Sequence, residues 1–257
     1  MRRESADPEV RVSELPTAAQ VRKALADLAN PTDAHHLQRF FKTGPGEYGE
    51  GDIFLGIRVP VTRKVAKQFP ALPLSQIDEL LDSPLHEERL AALFILNARF
   101  AAASKPRALD DTARKEMVDL YLAAVRRGRV NNWDLVDASA ENIIGPWLLD
   151  KDRTLLFELA EQDSLWERRV ALLSTFAFIK AGDPSTTLEL AEILRTDRRD
   201  LIQKALGWML REIGKRVDQT ALTDFLNRNA PELGRTALSY ATEHLDPEQR
   251  AAYRAMR

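Results

Sequence analysis

The chain has 257 residues, 44% of them apolar and 30% charged, with a formal net charge of −2. That composition belongs to a globular protein with room for one large domain or two small ones, and it is not a polycation, so any nucleic-acid surface has to come from local clusters of Lys and Arg. There is no cysteine, which excludes disulfides, thiol catalysis, thiolate zinc sites and cysteine-bound iron–sulfur clusters.

In chain order, the N-terminal "MRRESADPEVRVSELP" has no apolar core and does not read as a secretory signal. No run approaches the ~18 apolar residues of a membrane span, so a soluble, cytoplasmic protein is expected. Residues 1–15 read as a disordered extension and 16–257 as a single repeat domain. Helical spacing predicts helices at 17–29 and 33–42. The next stretch, "KTGPGEYGEGD" (42–52), holds four of the eleven glycines. Gly44, Gly46 and Gly49 match G-x-G-x-x-G, but they follow a helix rather than a strand, which excludes a dinucleotide fingerprint. Glu47, Glu50 and Asp52 do not have the spacing of a calcium loop. The segment reads as a folded loop that either caps the N-terminal repeat or adds a DNA contact.

"DIFLGIRVP" (52–60) is the best strand candidate. Helices follow at 61–69, 74–82 and 86–103, the last with Leu90, Leu93, Phe94 and Asn97 on one face. Another at 111–128 carries Met117, Leu120, Tyr121 and Ala124, with Gly128 as its stop. A helix through "NNWDLVDAS" (131–139) comes next, then 152–161, 165–180, 184–195, 200–216, 219–228, 232–243 and 247–256. The expected class is all-α.

Four of these segments can be superposed: "HEERLAALFI", "WERRVALLST", "LIQKALGWML" and "ELGRTALSYA". Each places a basic residue before an apolar run: Arg89, Arg169, Lys204 and Arg235. The steps are 80, 35 and 31 residues, and the NNWDLVDAS helix fills the long one. Two helices per unit at a period near 35 to 40 residues predict a HEAT-like helical-repeat solenoid, an α-α superhelix with a concave face.

The four histidines, His35, His36, His86 and His244, form no ligand pair at helical spacing, so no metal site is expected. There is no nucleophile elbow and no Walker A loop. What remains is a repeated pairing of tryptophan with charge: Trp133 with Asp137, Trp166 with Arg169, and Lys204 with Trp208 and then Arg211. Singly, each is explained by a core tryptophan and a charge reaching the rim. On stacked repeats they align into one aromatic and basic surface holding a single carboxylate. Such a carboxylate repels phosphate. It is useful where the substrate is, or becomes, cationic, as an N-alkylated purine and its departing sugar do. Asp134, an acid in the first turn, is read as complementing the helix dipole.

"FLGIRVPVTRK" (54–64), "NNWDLVDAS", "LWERRVALLS" (165–174) and "IQKALGWMLREIGK" (202–215) together resemble the DNA alkylation repair family, the AlkD-like HEAT-repeat DNA glycosylases. The resemblance implies a catalytic role for Asp137, which stabilises the oxocarbenium and positions water. It implies that Trp133 and Trp208 contact the lesion's deoxyribose, that Arg169 holds the DNA backbone at the lesion, and that Arg63 and Arg211 contact the backbone. It also implies excision of cationic N3- and N7-alkylated purines from double-stranded DNA, without base flipping. Lys64, Lys204 and Arg235 complete the expected DNA-binding set. Lys204, one turn before Trp208, is read as a phosphate contact rather than a Schiff-base nucleophile, so a monofunctional, monomeric glycosylase with no cofactor is expected. Phe40 stands where some members carry a tyrosine. The competing reading is a non-catalytic scaffold that binds DNA or protein.

Overall fold

The computed structural model describes residues 15–256, so the expectation of a disordered extension falls, apart from Leu15, outside the described residues. Helices form in the order α1 (Ala18–Ala26), α2 (Pro31–Phe40), α3 (Val59–Ala66), α4 (Leu74–Leu81), α5 (His86–Ala103), α6 (Asp111–Arg126), α7 (Trp133–Trp147) and α8 (Thr154–Glu161). The second half holds α9 (Leu165–Ser174), α10 (Phe176–Lys180), α11 (Ser185–Leu194), α12 (Asp200–Arg216), α13 (Gln219–Asn229), α14 (Arg235–Ala241) and α15 (Pro247–Ala255). Local chemistry marks the starts. Thr17 and Gln20 form a capping box on α1, and Asn30, Asp110, Asn132, Ser164, Asp218 and Asp246 cap later helices with their side chains.

The helices stack as a solenoid. One row runs α3, α5, α7, α9, α12, α14, each packed on the next. A second row places α4 against α5, α6 against α7, α8 against α9, and α11 and α13 against α12. The four superposed segments lie on α5, α9, α12 and α14, and α7 occupies the gap between the first two. One cluster of buried apolar residues continues from Ala18 to Tyr253. Leu93, Val136, Val170 and Leu206, one from each of four successive helices of the first row, are fully buried. Each contributes about 1.5–3 kcal/mol of transfer free energy, so stacking the rows is what holds the helices.

Two expectations are corrected. The segment 52–60 forms no strand; Ile53 makes a single bridge to Leu85. Its β-branched residues resemble a strand, but its backbone N–H groups are taken by a side chain. The Glu87 carboxylate accepts from Leu55, Gly56 and Ile57 at 2.9, 2.9 and 3.0 Å. Gly56 turns there with φ +84°, and a Cβ would meet the Asn30 carbonyl oxygen at 2.0 Å. The predicted helix 165–180 is divided at Thr175. The hydroxyls of Ser174 and Thr175 donate to the carbonyls of Val170 and Leu172 at 2.7 and 2.6 Å, competing with the helical ladder.

Helix α5 begins with four consecutive buried ionisable residues, His86, Glu87, Glu88 and Arg89. Burial of this kind is tolerable only with partners. Glu87 holds the turn just described, Glu88 pairs with Arg22 at 3.2 Å, and the other two join the network that seats α7.

Candidate functional site

Helix α7 starts on a buried polar hub. The Asp52 carboxylate, at the end of the glycine-rich loop, accepts from Arg89 at 2.5 Å, from Asn131 at 3.3 Å and from Asn132 at 3.2 Å. It also meets His86 Nδ1 at 3.1 Å, while His86 Nε2 meets Asp134 at 2.8 Å. Burial would lower the His86 pKa, but Asp134 and Asp52 outweigh it and raise it to about 9. Burial would raise Asp52, yet His86 and Arg89 bring it down to about 2. His86 is therefore an imidazolium between two carboxylates at neutral pH. Asp134 sits in the first turn of α7, where its charge complements the helix dipole, and it is in addition half of a buried ion pair.

With its N-terminus pinned, α7 fixes Trp133. The indole stacks on Phe41 with centroids 5.2 Å apart at 13°, and Phe40 approaches it edge-on at 6.1 Å. One turn later is Asp137. Arg169 of α9 grips its carboxylate in a bidentate pair, Nε to Oδ1 at 2.9 Å and Nη2 to Oδ2 at 2.8 Å. The third guanidinium nitrogen of Arg169 donates to the Leu201 carbonyl of α12. Asp137 keeps 22% of its side-chain surface open, against 5% for Arg169. Burial pushes the Asp137 carboxyl above the usual range, Arg169 pulls it down, and Asp134 pushes it up; the net direction is upward. Desolvation thus exceeds the pull of one arginine.

Arg169 itself is placed differently from its expected role. It is buried and spends its donors on Asp137 and a backbone carbonyl, so it holds the carboxylate that faces outward. Trp208 lies on α12, half-buried, packed against Phe176 at 5.8 Å. Sequence reasoning missed Tyr48. The glycine-rich loop is tied down by Glu47 and Glu50, whose carboxylates accept from the Gly44 and Gly46 N–H groups. It carries Tyr48 against the edge of Trp166 at 6.1 Å. Burial raises the Tyr48 pKa, and the polar influence of the Trp133 side chain on the phenol opposes this. The signal that marks Tyr48 in the sequence is a lone aromatic among glycines and acids in "GEYGEG".

The expected DNA-binding cations divide into two groups. Arg63 and Lys64 are exposed on α3, with the Arg63 guanidinium 4.1 Å from the Phe94 ring centroid, and Arg235 is exposed at the start of α14. None of the three has an ion pair among the described residues. Lys204 is paired with Asp200 at 2.8 Å, and Arg211 with Glu212 and Glu243. Among the described residues no group of three or more His, Asp and Glu side chains is arranged to hold a metal. No helix there is long and apolar enough to cross a membrane.

A family model described as "DNA alkylation repair enzyme" matches residues 21–245. The chain belongs to that family. Among solved structures, a "Predicted DNA alkylation repair enzyme from Enterococcus faecalis" is similar with a TM-score of 0.66 at 21% identity, covering 85% of this chain and 97% of that one. At that identity the likeness speaks for the fold. Among curated proteins none matches. The family match takes in every residue of the candidate site, from Phe40 to Arg235, and leaves out the start of α1 and all of α15. Family membership supports a role in repairing alkylated DNA, and DNA as the substrate.

Proposed function

We propose that the protein is a monofunctional DNA glycosylase that hydrolyses the N-glycosidic bond of cationic N3- and N7-alkylated purines in duplex DNA. The observation that carries this is Asp137: a partly open carboxylate, held rigid by a buried arginine, one turn from a tryptophan fixed by stacking. As the glycosidic bond breaks, the base leaves neutral and positive charge passes to the sugar. A pre-oriented carboxylate stabilises that charge without reorganising, and its raised pKa makes it a better acceptor for a proton of the attacking water. Trp133 and Trp208 offer π faces to the same cation, each contact worth about 0.5–2 kcal/mol according to desolvation. In this reading Arg169 is a positioning residue for Asp137. Phosphate contacts fall to Arg63, Lys64 and Arg235. Lys204 joins them by exchanging its exposed partner Asp200 for phosphate, and Arg211 by exchanging the exposed Glu243 while it keeps the buried Glu212, a small loss for surface pairs. Substrate contact through the sugar and backbone leaves the base in the stack, and the protein acts as a monomer.

The test is single-turnover release of N7-methylguanine from duplex DNA by wild type and Asp137→Asn. The wild type is expected to excise. The variant is expected to lose about 10²-fold or more in rate, the scale of losing a preorganised charge contact, while duplex affinity holds or improves. No excision by wild type with binding intact favours the non-catalytic scaffold. Full activity in Asp137→Asn removes that residue from the chemistry.

A further inference from the structure

A cleft of about 430 Å3 opens between the end of α3, the second half of α5 and α7. These are three consecutive helices of the row that carries Asp137. Two cations stand on its rim. Arg63 and Lys67 lie one turn apart at the end of α3, both exposed, and neither has an ion pair among the described residues. The Arg63 guanidinium rests 4.1 Å from the Phe94 ring centroid. That contact fixes the plane of the fork and leaves its N–H groups unspent.

No carboxylate lines the cleft. Glu141, beside Asn142 in the chain, is engaged by Lys180 of α10. Asn142 of α7 forms the opposite rim. One of its amide N–H groups donates to the Ala138 carbonyl at 3.0 Å, and the second has no partner among the described residues. Asn97 of α5 donates to the same carbonyl at 2.7 Å, and its Oδ1 is buried beyond a ligand's reach, so it serves the scaffold only. Ala138 directly follows Asp137, which ties this cleft to the turn of α7 that carries the carboxylate. The floor is apolar, built from Phe94, Ile95, Ala98 and Pro70.

This pairing of rim and floor selects the occupant. Inorganic phosphate would use the cations and leave the floor wet. An apolar molecule would use the floor and leave the cations idle. A sugar–phosphate unit of a DNA strand uses both, with oxygens toward the rim and the C–H face of deoxyribose on the floor. We propose that the cleft grips one backbone phosphate of the duplex through Arg63, Lys67 and the open N–H of Asn142. The inference rests on the DNA-binding part of the reading above, and it adds Lys67 and Asn142 to the contacts placed there. A phosphate held here registers the strand against Asp137.

The experiment is fluorescence anisotropy of a labelled, lesion-free duplex titrated with the full chain, from about 50 to 200 mM salt. Lys67→Ala should bind about tenfold more weakly, the scale of a hydrogen bond to a charged group, and should flatten the slope of log affinity against log salt by about 0.9. Lys67→Arg should recover most of both. Asn142→Ala should weaken binding about threefold at an unchanged slope, because it removes a donor and no charge. Arg228→Ala removes an exposed cation, without an ion pair among the described residues, from α13 in the second row, and should change neither quantity. Each replaced residue is exposed, so melting temperatures should match wild type.

A Lys67→Ala affinity within about twofold of wild type, no loss in Asn142→Ala, Lys67→Arg as weak as Lys67→Ala, or an equal loss in Arg228→Ala overturns the proposal. None of these measurements uses excision. Unchanged duplex affinity in the variants with intact N7-methylguanine release sinks the phosphate cleft alone. The expected losses in a protein that releases no base sink the glycosylase reading alone, and a wild type that binds no duplex sinks both.

Discussion

Replacing Asp52 by Asn tests the hub on which the site is built. The carboxylate is 3% exposed and receives donors from Arg89, His86, Asn131 and Asn132. Asn keeps the shape and one acceptor, but it removes the charge that two buried cations face. Breaking a buried ion pair by removing one partner costs about 3–5 kcal/mol. For a chain of this size each kcal/mol moves Tm by about 2–4 °C, so the variant should melt roughly 6–20 °C below wild type at pH 7. The pH course supplies a second arm. Because the folded His86 pKa, about 9, lies above its ordinary 6.5, its contribution is complete below pH 6.5 and lost as pH rises through 9. The folded Asp52 pKa, about 2, lies below 3.8, so its contribution is complete above pH 3.8 and lost as pH falls toward 2. Wild-type stability should thus decline from pH 6.5 to 9, and this decline should shrink in Asp52→Asn. Thermal denaturation followed by circular dichroism across that range reads both. A Tm loss under about 3 °C, or an alkaline decline identical in the two proteins, refutes the hub.

Three more expectations bear on the site and its scaffold. Single-turnover excision should fall on the acid side as Asp137 takes up a proton, with a midpoint above the ordinary 3.8 because the folded pKa is raised; a midpoint at or below 3.8 contradicts that environment. Tyr48→Ala should slow excision about tenfold by removing the ring that abuts Trp166 and the hydroxyl beside Trp133. Tyr48→Phe should recover the part owed to the ring, and equal rates in all three proteins would place Tyr48 outside the site. Gly207→Ala should destabilise by about 1–3 kcal/mol through overpacking. A Cβ there meets the Ala237 carbonyl oxygen at 2.5 Å and the Tyr240 Cβ at 2.6 Å, and an unchanged denaturation midpoint would mean that α12 and α14 approach less closely.

Helices and their stacking order were legible in the sequence because both are written locally. Apolar residues at i, i+3 and i+4 set each face, capping residues set the starts, and a basic residue before each of four apolar runs marked the repeat. The same spacing put Trp133 and Asp137 one turn apart. Pairing between distant charges was not legible, because it depends on which surfaces the solenoid brings together. Asp137 finds Arg169 across 32 residues, His86 finds Asp134 across 48, and Asp52 finds Asn132 across 80. Tertiary structure therefore made Arg169 a buried support for Asp137, gave the helix-end acid Asp134 a buried ion-pair partner, and carried Tyr48 from an unassigned loop to the tryptophans. It also gave the N–H groups of the strand-like 55–57 to Glu87. Local propensity selects among backbone shapes by fractions of a kcal/mol, whereas an unpaired buried charge or donor costs several, so where the two compete the long-range partner decides.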